Sequence, residues 1–228
     1  MLRPLLLALC AVALMASACG DDDGDGGSSD TAAKVAPTEA AAGCPDVKAP
    51  APRGDGGAKK PTSDLAKDRR YTVQLDTSCG TIEIRLNQRS APHASASFAS
   101  LARKGFFDST VFHRIVPGFV IQGGDPTASG TGGPGYSTVD TPPSGTTYTR
   151  GTVAMAKAGN EAPGTAGSQF YIVTAPDAGL PPDYAVIGKV VSGDDVVENI
   201  GKLGDPASGE AGTPVKPVVI KKATVHER

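Results

Sequence analysis

Histidines are few in this chain, and the spacing of its potentially reactive side chains argues against most covalent, acid–base or metal chemistry. There are three histidines among 228 residues. His93, His113 and His226 are far apart and show no metal-ligand spacing. No paired nucleophile is evident for His113, so it reads as a locally packed side chain rather than a general base. No Gly-x-Ser-x-Gly elbow occurs, which disfavours a serine hydrolase. The glycine-rich stretch from Gly123 to Gly135 lacks the Gly-Lys-Ser/Thr ending of a phosphate loop, and Pro134 opposes a helix starting there. It reads as a loop beside a cleft.

The cysteines carry a different message. Arg3, the apolar run Leu5 to Leu14, and Ala16-Ser17-Ala18 have the order of an export signal. Cys19 follows at once, with Gly20-Asp21-Asp22-Asp23 behind it, the pattern of a bacterial lipobox whose thiol is acylated before cleavage. Cys10 is a weaker candidate because Leu9 before it is not small. The expectation is a signal peptide at 1–18 and a lipid anchor on Cys19. The protein would then sit on the outer face of the bacterial cytoplasmic membrane or cell envelope. In an oxidising compartment Cys44 and Cys79 are a candidate disulfide, although spacing alone leaves a free pair open.

Residues 19–68 are rich in Gly, Ala, Asp, Pro, Ser and Lys and poor in large apolar side chains. Such a stretch cannot offset the entropy of ordering it, and it is expected to be a disordered tether reaching roughly 40 Å. From residue 69 to 228 the texture is that of a domain. Tyr71–Leu75 and Thr81–Leu86 alternate about a turn and predict a hairpin. Pro92 opens a helix that buries Phe98 and Leu101 and stops at Gly105. Short strands are predicted at Val111–Ile115, Phe119–Gln122, Gly151–Met155, Phe170–Thr174, Ala185–Val191 and Val215–His226, with a second helix at Asp194–Lys202. Many short strands and two helices suggest a mainly β fold, a closed antiparallel barrel with helices over its ends.

The run Val111-Phe112-His113-Arg114-Ile115-Val116-Pro117-Gly118-Phe119-Val120-Ile121-Gln122-Gly123-Gly124-Asp125 closely resembles the cyclophilin signature. Gly151-Thr152-Val153-Ala154-Met155-Ala156, Gly167-Ser168-Gln169-Phe170-Tyr171-Ile172 and Ile187-Gly188-Lys189-Val190 look like three further blocks of that family, in the same order. The resemblance spans roughly residues 70–226. It implies a closed eight-stranded antiparallel β-barrel capped by two α-helices, and peptidyl-prolyl cis–trans isomerase activity without cofactor or metal.

That activity asks for no nucleophile. Rotation about a peptide bond is opposed by about 18–20 kcal/mol, and X–Pro bonds exchange over tens to hundreds of seconds. A catalyst must seat the proline ring in an apolar pocket and favour the twisted amide with a pyramidal nitrogen. By the resemblance, Arg114 is the catalytic donor to that nitrogen, and Gln122 positions the carbonyl and orients the arginine. Phe119, Val120, Tyr171, Leu180 and Tyr184 fall at pocket positions, Ala156 and Lys157 where backbone groups meet the peptide, and Gln169 along the cleft.

Several positions depart from the family pattern. Val120 stands where Met is common, Lys157 where Asn is, Tyr171 where Phe is, and Tyr184 where His is. The chain has no Trp, and Gly179 sits near a tryptophan that contacts cyclosporin in many relatives, so weak cyclosporin binding is expected. The expectation is a monomeric isomerase for proline-containing polypeptides, which the export signal puts outside the cytoplasm and which touches the membrane only through its anchor. A net charge of −2 gives no global basic field for nucleic acid. Two alternatives stand beside the isomerase: a non-catalytic proline-peptide-binding chaperone or scaffold, against which Arg114 argues, and a tethered barrel carrying a small apolar ligand, against which the alternating Val and Ile of a filled interior argue.

Overall fold

The computed structural model describes residues 43–228. The expected signal peptide, the candidate lipidation site Cys19 and the first part of the linker lie outside the described residues.

Alternation builds the first hairpin. Strand β1 (Tyr71–Thr77) buries Tyr71, Val73, Leu75 and Thr77, and β2 (Gly80–Leu86) buries Ile82, Ile84 and Leu86. Helix α1 (Pro92–Arg103) begins on Pro92, whose missing N–H costs nothing there, and buries Ala94, Phe98 and Leu101. Next come β3 (Thr110–Val111), β4 (Arg114–Val116), β5 (Val120–Gly123), β6 (Thr138–Val139), β7 (Thr152–Met155), β8 (Thr165–Ala166), β9 (Phe170–Val173) and β10 (Val186–Ser192). Helix α2 (Asp194–Gly201), a 3-10 turn at Pro206–Ala211 and β11 (Val219–Glu227) complete the chain.

The main sheet is antiparallel, in the order β3-β11-β1-β2-β10-β7-β9-β5-β4, with β6 and β8 forming a separate pair. A closed eight-stranded barrel was expected; the ladders instead give a nine-stranded sheet that ends on β3 and β4. These two ends are joined by the chain itself through Phe112 and His113. The single strand expected at Val111–Ile115 breaks there because Thr110 and Val111 pair with β11, whereas Arg114 to Val116 pair with β5. Phe112 turns into the core at the break. The two helices fall where they were expected.

The sheet wraps a filled interior. Phe98, Phe107, Phe112 and Phe170 are fully buried, with ring centroids 4.8 Å apart for Phe98–Phe107 and 5.1 Å for Phe98–Phe170. Each such aromatic pair adds about 0.5–1.5 kcal/mol beyond area burial. Among the described residues, packing of this kind fills the interior that a small-ligand barrel would need open.

The stretch 43–68 departs from the expected tether by lying along the domain. The Cys44 and Cys79 sulfurs are within bonding distance, in a disulfide spanning 35 positions. Farther along, the amides of Arg53, Gly56 and Ala58 donate to the carbonyls of Pro126, Gly133 and Pro134. Leu65 is buried. Composition was a poor guide here because backbone hydrogen bonds and the crosslink, rather than apolar burial, hold most of this strap.

Candidate active site

Strand alternation sorts the signature residues onto two faces. Ile115, Ile121, Met155, Val153, Phe170 and Ile172 point into the main core. Their neighbours Val120, Ala154, Tyr171 and Val173 form a second apolar cluster on the opposite face, with Phe119, Leu180 and Tyr184 packed against it. Register then aligns the polar groups. Arg114 faces Gln122 across the β4–β5 ladder, Gln122 faces Tyr171 across β5–β9, and Tyr171 faces Ala154 across β9–β7. One transverse row therefore carries Arg114, Gln122 and Tyr171 on the same side of the sheet.

Above that row lies a cleft of about 570 Å³ lined by Arg114, Val116, Phe119, Val120, Gln122, Ala156, Lys157, Tyr171, Leu180, Tyr184 and Glu210. Every sequence-derived cleft residue except Gln169 is in that lining. Gln169 lines an adjoining pocket of about 440 Å³, which shares Gln122, Ala156 and Lys157 with the first.

The guanidinium of Arg114 is fixed on two sides. Its Nε donates to the Glu210 carbonyl at 2.9 Å and its Nη1 to Gln122 Oε1 at 3.3 Å. It stands 5.9 Å from the Phe119 ring centroid, which keeps the charge beside an apolar wall. Gln122 Nε2 donates to Gln169 Oε1 at 3.0 Å, and Gln169 Nε2 donates to the Gly130 and Gly132 carbonyls at 3.0 and 2.9 Å. Oriented amides in a partly desolvated chain polarise one another and hold one arrangement.

The far wall is aromatic. Tyr171 and Tyr184 meet edge to face at 5.6 Å, and Tyr148 OH bridges the backbone of Tyr184, donating to its carbonyl and accepting from its amide, both at 2.9 Å. Burial, and then the neighbouring Tyr148 and Tyr184, push the Tyr171 hydroxyl far above its ordinary range, so it stays neutral. The Lys157 ammonium stands 5.6 Å from the Tyr184 ring centroid and donates to the Ala158 and Glu161 carbonyls.

Beneath the glycine-rich loop, Asp125 takes hydrogen bonds from the Thr127, Gly130 and Gly132 amides. Burial raises its pKa, but the bonds from Thr127, Gly130 and Gly132 outweigh that and hold it below the ordinary carboxylate value. His113 lies close by with both ring nitrogens buried and unpartnered among the described residues. Burial lowers its pKa, opposed in part by Asp125. Gly124 adopts φ 85°, and a Cβ there would strike the Ser168 carbonyl and, at 2.9 Å, the Phe170 ring.

Sequence reasoning missed several lining residues, Val116, Glu210 and Asp55 among them. Val116 lies inside the signature, and alternation from Arg114 would have found it. Glu210 contributes a carbonyl from the 3-10 turn, and Asp55 reaches the adjoining pocket from the strap. Neither carries a local sequence signal, since both arrive by long-range packing.

A cleft with an apolar floor, a guanidinium fixed beside a row of amides and a lysine at its aromatic wall is suited to holding a peptide and acting on its amide bond. The comparisons agree. The family model Cyclophilin type peptidyl-prolyl cis-trans isomerase/CLD matches residues 72–225. A peptidyl-prolyl cis-trans isomerase-like 1 of Gibberella zeae is 37% identical over 159 residues, covering 68% of this chain and 94% of that protein. Peptidyl-prolyl cis-trans isomerase B of Bacillus subtilis is 44% identical over 120 residues, 52% of this chain and 82% of that one. The crystal structure of a Cryptosporidium parvum cyclophilin type peptidyl-prolyl cis-trans isomerase superposes with a TM-score of 0.62 at 30% identity, covering 69% of this chain and 98% of that one. A second structure of that isomerase, in the presence of the dipeptide Ala-Pro, gives a TM-score of 0.61 at 30% identity, covering 68% and 98%. The chain belongs to the cyclophilin family, and its enzyme class is peptidyl-prolyl cis–trans isomerase.

Proposed function

We propose that the cleft isomerises X–Pro bonds of exported polypeptides, with Arg114 as the catalytic donor. The observation that carries this is the fixed guanidinium: Glu210 and Gln122 hold Nε and Nη1, and Nη2 is left without a protein partner among the described residues. Seated on Phe119, Val120, Tyr171 and Leu180, a proline ring would bring its nitrogen toward that donor. As the bond twists, amide conjugation is lost and the nitrogen becomes a better acceptor, so the hydrogen bond strengthens in the transition state more than in the ground state. Gln122 would take the carbonyl preceding the proline, while Ala156, Lys157 and Gln169 would line the rest of the chain. The Ala-Pro dipeptide present with the Cryptosporidium parvum structure supports a proline-peptide ligand.

The cellular setting is part of the same proposal. The export signal, Cys19 and the disulfide between Cys44 and Cys79 fit one history: a bacterial lipoprotein, exported, acylated and oxidised, acting as a monomer on folding clients at the outer face of the membrane. The reading includes no nucleic-acid partner, since a formal charge of −2 supplies no global basic field to draw one.

Refolding of a proline-limited protein, or isomerisation of a prolyl peptide, compares wild type with Arg114→Ala. Acceleration by wild type that falls about 10²-fold in the variant supports the reading. Binding of the peptide without acceleration would make the domain a holdase. Mass spectrometry of the mature N-terminus tests the anchor, which should vanish in Cys19→Ser.

A further inference from the structure

The strap lies before the region matched by the family model, yet it reaches the hydrogen-bond row that ends on Arg114. Asp55 Oδ1 accepts the Gly133 amide at 2.7 Å. That amide and the Gly132 carbonyl belong to one peptide unit, and the carbonyl accepts Gln169 Nε2 at 2.9 Å. From there the row runs through Gln122 to Arg114. A carboxylate on the N–H side of a peptide polarises it and makes its carbonyl a stronger acceptor.

We propose that Asp55 is a positioning residue for catalysis, acting through the 132–133 peptide unit, Gln169 and Gln122 to hold the Arg114 guanidinium. The proposal rests on Arg114 being the donor to the prolyl nitrogen. The strap is built for this contact. Gly56 N and Ala58 N bond the Gly133 and Pro134 carbonyls, and a Cβ on Gly135 would meet Gly56 Cα at 3.1 Å and Gly57 N at 3.3 Å. Such close backbone approach fixes Asp55 over the loop without burying apolar surface. Asp125 holds the loop from below through Gly130 and Gly132, so losing Asp55 loosens one peptide unit rather than unfolding the loop.

The test uses the full-length chain in detergent, with a prolyl tetrapeptide as substrate. It compares wild type, Asp55→Ala, Asp55→Asn, Asp46→Ala and Arg114→Ala. Asp46 pairs with Lys216 at 3.0 Å, away from the loop, and controls for general loosening of the strap. The expected result is a kcat about fivefold lower in Asp55→Ala with KM unchanged, since a loosened guanidinium costs transition-state rather than ground-state binding. Asp55→Asn keeps an acceptor oxygen and should recover most of the loss, and Asp46→Ala should match wild type. The Arg114 side-chain Nε–Hε resonance should shift in Asp55→Ala alone among the strap variants. An Asp55→Ala enzyme with wild-type kcat and an unmoved resonance overturns the proposal. Equal losses in Asp55→Ala, Asp55→Asn and Asp46→Ala overturn it too, as strap loosening. Full activity in Arg114→Ala would instead sink the role given to the arginine, while the resonance still reports whether Asp55 holds it.

Discussion

Arg114 and Gln122 stand directly opposite one another across the β4–β5 ladder, and Nη1 of the first donates to Oε1 of the second at 3.3 Å. The pairing is a product of register, so the backbone ladder itself sets the distance between the cation and the amide. Removing the amide should therefore cost orientation rather than charge. Gln122→Ala is expected to lower kcat about tenfold, on the order of one charge-assisted hydrogen bond, and less than Arg114→Ala does. Steady-state kinetics on a prolyl peptide checks it, and equal losses in the two variants would make Gln122 more than a positioning group.

Gly212 supports the arginine from the other side. Its φ is 63°, and a Cβ there would lie 2.7 Å from Val116 Cγ2 and 2.9 Å from Arg114 Cγ. Its carbonyl also accepts the Ile115 amide at 2.7 Å. Gly212→Ala should push the arginine stem aside as well as strain the turn, giving a loss of about 1–2 kcal/mol in stability and a fall in kcat. Thermal unfolding alongside activity separates the two, and a variant with wild-type kcat would show that the stem relaxes at no functional cost.

The disulfide between Cys44 and Cys79 closes a 35-position loop, for which chain entropy sets a ceiling of about 4 kcal/mol. It ties the start of the strap to Cys79, buried in the β1–β2 turn, so its loss should be felt in the strap first. In a Cys44→Ser/Cys79→Ser variant, hydrogen exchange at the Gly56 and Ala58 amides should speed up while that of β1 and β2 stays slow. Uniform loss of protection would show instead that strap and sheet unfold as one unit.

Much of the site was legible because its residues are close together in sequence. Arg114, Phe119 and Gln122 lie within one signature, and strand period alone puts Arg114, Val120 and Gln122 on the face away from Ile115 and Ile121. The hairpin and both helices were equally readable from alternation, Pro92 and the Val196, Val197, Ile200 stripe. What escaped was set by distant packing. The two-residue strands β6 and β8 are too short to show a period, and Glu210 and Asp55 matter through loops whose composition reads only as flexible. The break at Phe112 left a trace, since Val111-Phe112 and His113-Arg114 interrupt the alternation, but the switch of partner from β11 to β5 shows only in the ladders.

His113 makes stability depend on pH in a direction that can be worked out. Burial holds its folded pKa below the ordinary 6.5, so just under that value the unfolded chain binds a proton that the folded one refuses. Stability then rises with pH across that window and is lost on acidification from 6.5 downward. Asp140 works the other way nearer the carboxylate range, because burial raises its pKa against the hydrogen bond from the Ala94 amide, so protonating it favours the folded state. Comparing His113→Gln with wild type isolates the first contribution, since Asp140 is common to both. Denaturant unfolding at pH 7.5 and at pH 5.5 should show wild type losing more stability than the variant, by up to about 1.4 kcal/mol per pH unit of the window. Parallel losses would mean that the ring takes up its proton in place, with the nearby Asp125 carboxylate meeting the charge.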